Sequence, residues 1–133
     1  MGRTRTRTAA GIVLDAGALI ALDRGEKRMI ALLQRALAEG RAFRVPAAVV
    51  GQAWRDGRLQ VTLSRFLRSE EVEIVPLDEH LARSCGELCA AANLRDVIDA
   101  SVVILARERR DPIVTSDPND LRRLDPGAQI IPL

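Results

Sequence analysis

A chain of 133 residues with a formal net charge of +2 is about one domain, long enough to bury a sizeable core. Hydrophobic residues at 47% and charged residues at 29% exclude a disordered chain, and no apolar run approaches the roughly 20 residues that span a bilayer. Tyrosine is absent, with two Phe and one Trp, so stacking platforms of interleaved aromatics are excluded and any nucleic acid must be held through charge and phosphate.

Lys27 is the only lysine, so 19 of the 20 basic residues are arginines. Arginine reads phosphates and carboxylates in a planar, bidentate way. A GC-rich genome enriches Arg and Ala together, however, so the bias alone does not specify RNA. The opening Met1-Gly-Arg-Thr-Arg-Thr-Arg-Thr8 has no apolar segment behind it and reads as a basic flexible tail over residues 1–10, not a secretory signal. Residues 11–133 read as a single domain.

Gly11-Ile-Val-Leu14 is a short buried strand that delivers Asp15 at its carboxyl end. A short helix follows over Ala16–Leu22, then a second over Glu26–Ala38, stopped by Gly40. Ala42–Val45 is a strand, and Pro46 stands where a helix begins. The next helix is expected over Ala47–Asp56, with Gly57 as its terminator. Another is expected over Leu59–Leu67, with Leu59, Leu63, Phe66 and Leu67 on one face.

Val72–Val75 is a strand, Asp78 caps a helix to about Ala92, and Asn93 is its left-handed stop. Cys85 and Cys89 lie on the apolar stripe of that helix. Their spacing suits neither a disulfide nor a C-x-x-C site, and a zinc ion held with His80 would lack a fourth ligand. They read as small core-facing thiols of a protein in a reducing cytoplasm. The last elements are a helix from Asp96 to about Arg109, a strand Pro112–Thr115, a short helix Asn119–Leu124 and a strand Gln129–Ile131. Strands alternating with helices imply an α/β fold with one parallel sheet covered on both faces.

In such sheets ligands sit beyond the carboxyl ends of the strands. Asp15 and Asp117 fall there, and Asp96 and Asp99, one turn apart at a helix start, can reach the same edge. Each aspartate alone could be a helix cap worth about 1 kcal/mol. As a set they suit a hard cation, Mg²⁺ or Mn²⁺, which prefers carboxylate oxygens and takes substrate phosphate as a further ligand. No phosphate-cradling glycine loop is present, and His80 alone offers no nucleophile–base pair.

Four stretches in order carry a family resemblance: Ile12-Val-Leu-Asp-Ala-Gly-Ala-Leu-Ile-Ala-Leu22, Val45-Pro-Ala-Ala-Val-Val-Gly-Gln-Ala-Trp-Arg55, Asp99-Ala-Ser-Val-Val-Ile-Leu-Ala106 and Ile113-Val-Thr-Ser-Asp-Pro-Asn-Asp-Leu121. Together they resemble the motifs of PIN-domain ribonucleases, particularly VapC-type toxins, over residues 11–133. The resemblance implies a small α/β/α sandwich with a mostly parallel sheet of about four to five strands. It also implies a Mg²⁺- or Mn²⁺-dependent endoribonuclease, commonly a homodimer, silenced by a VapB-like antitoxin.

By the same resemblance Asp15, Asp99 and Asp117 are metal ligands, and Asp96 is an additional ligand or water-orienting group. Asp120 would be peripheral, with Thr115 or Ser116 hydrogen-bonded to the cluster. Arg55 and Arg58 are the expected phosphate contacts, with a plain exposed face as the alternative. Two positions depart from the family pattern. Gln52 stands where a glutamate is usual, and Gly17 where a small hydroxyl residue is common. The first departure leaves open a catalytically weakened module that binds RNA or an antitoxin. A DNA flap-type nuclease would need an arch or clamp that this chain has no room for.

Overall fold

The computed structural model describes residues 11–133, and the expected basic tail, residues 1–10, lies outside them. Five strands form one all-parallel sheet in the order β3-β2-β1-β4-β5: β1 is Ile12–Leu14, β2 Phe43–Pro46, β3 Val72–Val75, β4 Ile113–Thr115 and β5 Ile130–Pro132. The chain winds outward from β1 through β2 to β3, then returns to add β4 and β5 on the other side. The order therefore reverses between β1 and β4, which places a crevice at their carboxyl ends.

Among the described residues seven helices cover the sheet: α1 Ala16–Asp23, α2 Lys27–Ala38, α3 Ala47–Ala53, α4 Val61–Leu67, α5 Glu79–Ala92, α6 Val97–Arg109 and α7 Pro118–Leu124. They form two packing groups, α1 with α2, α3 and α4, and α5 with α6 and α7, consistent with an α/β/α sandwich. None is long and apolar enough to cross a membrane.

The central strands are mostly apolar, as strands covered on both faces are, with Arg44 and Thr115 the polar exceptions. Ile12, Val13, Leu14, Phe43, Val45, Ile113 and Val114 are all at most 1% exposed. Helix α6 is the core helix of its layer, with Ala100 through Ala106 buried without a break. It starts at Asp96, whose side chain accepts the Asp99 N–H at 2.9 Å, and ends at Arg110 in the left-handed conformation. Asp78 and Asn93 bracket α5 as the sequence predicts. Cys85 and Cys89 are free, buried thiols. At the amino edge of the sheet, away from the crevice, a buried ion pair joins Arg44 of β2 to Asp111 ahead of β4. Arg44 also bonds Glu73 of β3 at 3.1 Å.

One stretch departs from expectation. Helix α3 stops at Ala53 and α4 begins only at Val61, because Trp54 turns extended and the intervening residues form a loop. The Gln60 side chain holds that loop. Its Oε1 accepts the N–H groups of Arg55 at 2.6 Å and Asp56 at 2.9 Å, while its Nε2 donates to the Ala53 carbonyl and to Asp23. Leu59 is therefore not on the α4 face but 82% exposed.

Candidate metal centre

The local fold explains why aspartates gather at the crevice. Leu14 pairs with Val114, so the residues that follow each strand, Asp15 after β1 and Thr115-Ser116-Asp117 after Val114, leave the sheet side by side. Asp15 caps α1, accepting the Ala18 N–H on Oδ1 at 3.0 Å, and is only 8% exposed. Thr115, fully buried, accepts the Asp117 N–H at 2.8 Å and hydrogen-bonds the Asp15 carboxylate. Asp117 precedes α7 but makes no capping bond, so its carboxylate is not engaged in ending that helix. Asp99 projects from the first turn of α6.

These carboxylates feel one another. Burial pushes Asp15 up from its ordinary range, the Thr115 hydroxyl and the Ala18 N–H oppose this, and the Asp117 charge adds to it. Asp99 is pushed up to about 7, first by burial, then by the charges of Asp96, Asp15 and Asp120. Asp120 is raised by a hydrogen bond shared with Asp117 and by its charge, with Arg123 pulling the other way. Asp15, Asp96, Asp99, Asp117 and Asp120 thus form one electrostatic cluster. Asp78, an equally good cap, is not part of it.

A cleft of about 150 Å³ opens beside the cluster, lined by Asp96, Asp99, Asp120, Arg95 and Arg123 with Leu94 and Leu124. The sequence reading missed these two arginines. Their signal was positional: Arg95 directly precedes the α6 cap, and Arg123 lies one turn after Asp120. Arg55 and Arg58 sit instead on the α3–α4 loop. The Arg55 guanidinium donates to the carbonyls of Gly51 at 3.1 Å and Trp54 at 2.7 Å, and Arg58 pairs with Asp56 at 3.3 Å. Gln52, on α3, is half-buried and shares no hydrogen bond with the cluster.

Among the described residues no three acidic, histidine or cysteine side chains close into a ready-made metal cage. The donor chemistry nevertheless fits a hard cation that keeps several waters: every member is a carboxylate, and Asp99 is raised by burial and negative charge with no opposing base.

The sequence profile of the PIN domain matches residues 12–126. The chain belongs to the PIN domain family. Among curated protein sequences, none matches it. The PIN fold is shared with solved structures at low identity. A toxin–antitoxin complex from Klebsiella pneumoniae is 16% identical, with 91% of this chain and 96% of that chain covered, at a TM-score of 0.68. VapBC2 from Rickettsia felis, bound to a DNA fragment from its promoter, is 16% identical over 91% of this chain and 97% of that one, with a TM-score of 0.67. Mycobacterium tuberculosis VapC20, described as a sarcin-ricin loop cleaving toxin, is 16% identical over 80% and 88%, with a TM-score of 0.60. In the PIN domain of this chain, the expected ligands Asp15, Asp99 and Asp117 are the strand-end and first-turn carboxylates of the crevice.

Proposed function

We propose that this PIN domain is a Mg²⁺- or Mn²⁺-dependent endoribonuclease and the toxin of a VapBC-like pair, held in check by a VapB-like antitoxin and working as a cytoplasmic homodimer. The observation that carries the reading is the cluster at the β1/β4 switch point, where Asp99 is pushed up to about 7 among like charges. A half-buried carboxylate held among like charges calls for a cation.

Asp15, Asp99 and Asp117 would hold the ion, which when bound supplies charge neutralisation at a phosphodiester and acidifies water. Asp15 is held rigid for this by the Ala18 N–H and the Thr115 hydroxyl. Asp96, exposed at the mouth, accepts the Asp99 N–H and hydrogen-bonds the Asp99 carboxyl, and would orient an attacking water once an ion takes up Asp99. Asp120 supports Asp117 from outside. Arg95 and Arg123, which line the same cleft as Asp96, Asp99 and Asp120, would grip the phosphate backbone of the RNA. Arg55 and Arg58 would meet only RNA that extends over the α3–α4 loop.

Gln52 favours a second reading, a weakened module that binds RNA or antitoxin without efficient cleavage. An amide oxygen can ligate, yet it carries no charge and is no base. Incubating the purified full chain with a labelled RNA pool separates the two. Cleavage that needs Mn²⁺ or Mg²⁺ and is lost in Asp99→Asn supports the nuclease. No cleavage by wild type with either metal, together with cleavage by Gln52→Glu, supports the weakened module.

A further inference from the structure

The apolar residues of the central strands say little about how those strands align. β1 is three residues long and meets each neighbour through two aligned pairs. Ile12 lies beside Phe43 and Val13 beside Arg44, while Val13 lies beside Ile113 and Leu14 beside Val114. Ile12, Val13, Leu14, Ile113 and Val114 are all buried aliphatic side chains. A strand that is apolar on both faces loses little burial by sliding along its neighbour, so hydrophobic pattern alone does not fix its register.

The directional groups sit at the amino edge of the sheet. Arg44 of β2 forms a buried ion pair with Asp111, two residues ahead of Ile113 in β4, and its Nε donates to Glu73 of β3 at 3.1 Å. The Arg44 and Asp111 side chains are only 13% and 3% exposed. Both lie over Gly11, just before β1: Asp111 Oδ2 and Arg44 Nη1 stand 2.9 and 3.1 Å from where a Cβ of residue 11 would be. Glu73, Arg44 and Asp111 therefore tie β3, β2 and β4 together across β1. A slip of β4 by two residues, about 6.6 Å, would preserve its faces. It would also break the pair and strand two buried charges, which is costly.

Alignment at that edge decides what meets at the other. β1 and β4 run parallel from the ion pair to the crevice, where Asp15 leaves β1 beside Thr115 and Asp117. The ladder is tighter at the amino end, where the Val13 N–H meets the Pro112 carbonyl at 2.9 Å. At the crevice the Asp15 N–H meets the Val114 carbonyl at 3.4 Å. We propose that the Arg44–Asp111 pair is a register lock, and through it a positioning pair for Asp15 and Asp117 at the far end of the strands. The positioning half of the inference rests on the reading of those two aspartates as metal ligands.

The test replaces the pair by apolar side chains, Arg44→Met with Asp111→Leu, in the full chain. Exchanges of this kind are often neutral or stabilising, so the double variant is expected to melt no lower than wild type in EDTA. In the same metal-free state β4 samples a second alignment. The Asp15 and Val114 amides are then expected to exchange with D₂O about tenfold faster, relative to the Val102 amide in the buried helix α6. Calorimetry is expected to show Mn²⁺ bound about tenfold more weakly.

Unchanged relative exchange overturns the lock, whatever the Mn²⁺ affinity. Faster exchange with wild-type Mn²⁺ affinity supports the lock and overturns the positioning role. If the double variant melts lower or does not fold, Asp111→Asn decides. Exchange that rises more at Asp15 and Val114 than at Val102 supports the lock. An equal rise at all three overturns it, because a pair that only stabilises acts on the whole core. A wild type that binds no Mn²⁺ overturns the metal-centre reading and the positioning role, while the metal-free exchange alone still judges the lock.

Discussion

The hydroxyl of Thr115 accepts the backbone N–H of Asp117 at 2.8 Å. The same hydroxyl hydrogen-bonds the Asp15 carboxylate, so one fully buried side chain ties Asp15 to the backbone of Asp117. Thr115→Val keeps the shape but leaves the Asp117 N–H without its partner and removes one of the donors to Asp15, which keeps the Ala18 N–H. It is expected to cost about 1–3 kcal/mol of stability and about tenfold in Mn²⁺ affinity. Thr115→Ser retains both. Denaturant titration and calorimetry on the two variants check this, and equal behaviour of Val and Ser would contradict it.

Asp99 is expected to make the largest contribution to the pH dependence of the metal-free protein, with the raised Asp15 acting in the same direction. The Asp99 carboxyl is raised from 3.8 to about 7 in the folded chain. Between those values the folded state keeps a proton that the unfolded state has released. Stability therefore falls as pH rises from about 4 to 7 and levels off above. Because the group is half-exposed, screening limits the loss to the order of 1–2 kcal/mol. Asp99→Asn is expected to flatten this slope and to stabilise the protein at pH 8 in EDTA, while ending cleavage. Denaturant midpoints at pH 5 and pH 8 measure it, and parallel slopes for both proteins would contradict it.

Asp78 and Asp117 separate capping from chemistry. Asp78 accepts the Leu81 N–H at 2.8 Å and stands outside the acidic cluster. Asp78→Ala is expected to cost about 1 kcal/mol with RNA cleavage unchanged. Asp117 makes no capping bond, so Asp117→Asn is expected to leave the melting temperature nearly unchanged and to abolish cleavage. Thermal melts and initial rates on the pair show whether the two effects separate in this way.

Gln52 is expected to limit metal affinity. Gln52→Glu restores a charge and is expected to strengthen Mn²⁺ binding about tenfold or more, read by calorimetry. An unchanged affinity would place residue 52 outside the ion's reach.

Much of the fold was legible because local signals agreed with the tertiary outcome. The apolar run Ile12–Leu14, the caps at Asp78 and Asp96 and the left-handed Asn93 each specify an element boundary through chemistry confined to a few residues. The α3–α4 loop was not legible, because it depends on Gln60 folding back onto Ala53, Arg55 and Asp56 and across to Asp23. No helical periodicity reports such a bond. Asp15 and Asp117 could be placed at one sheet edge from strand ends alone. The closeness of Ser116 to Gly17, and the lining of the acidic cleft by Arg95 and Arg123, needed three dimensions.

The central claim is that the carboxylates at the β1/β4 switch point hold a divalent cation. Anomalous diffraction from crystals of the full chain soaked in MnCl₂ tests it most directly. The account predicts one or two Mn²⁺ peaks within ligand distance, about 2.0–2.4 Å, of oxygens from Asp15, Asp99 and Asp117. Peaks confined to other surfaces, with these three carboxylates bare, would contradict it.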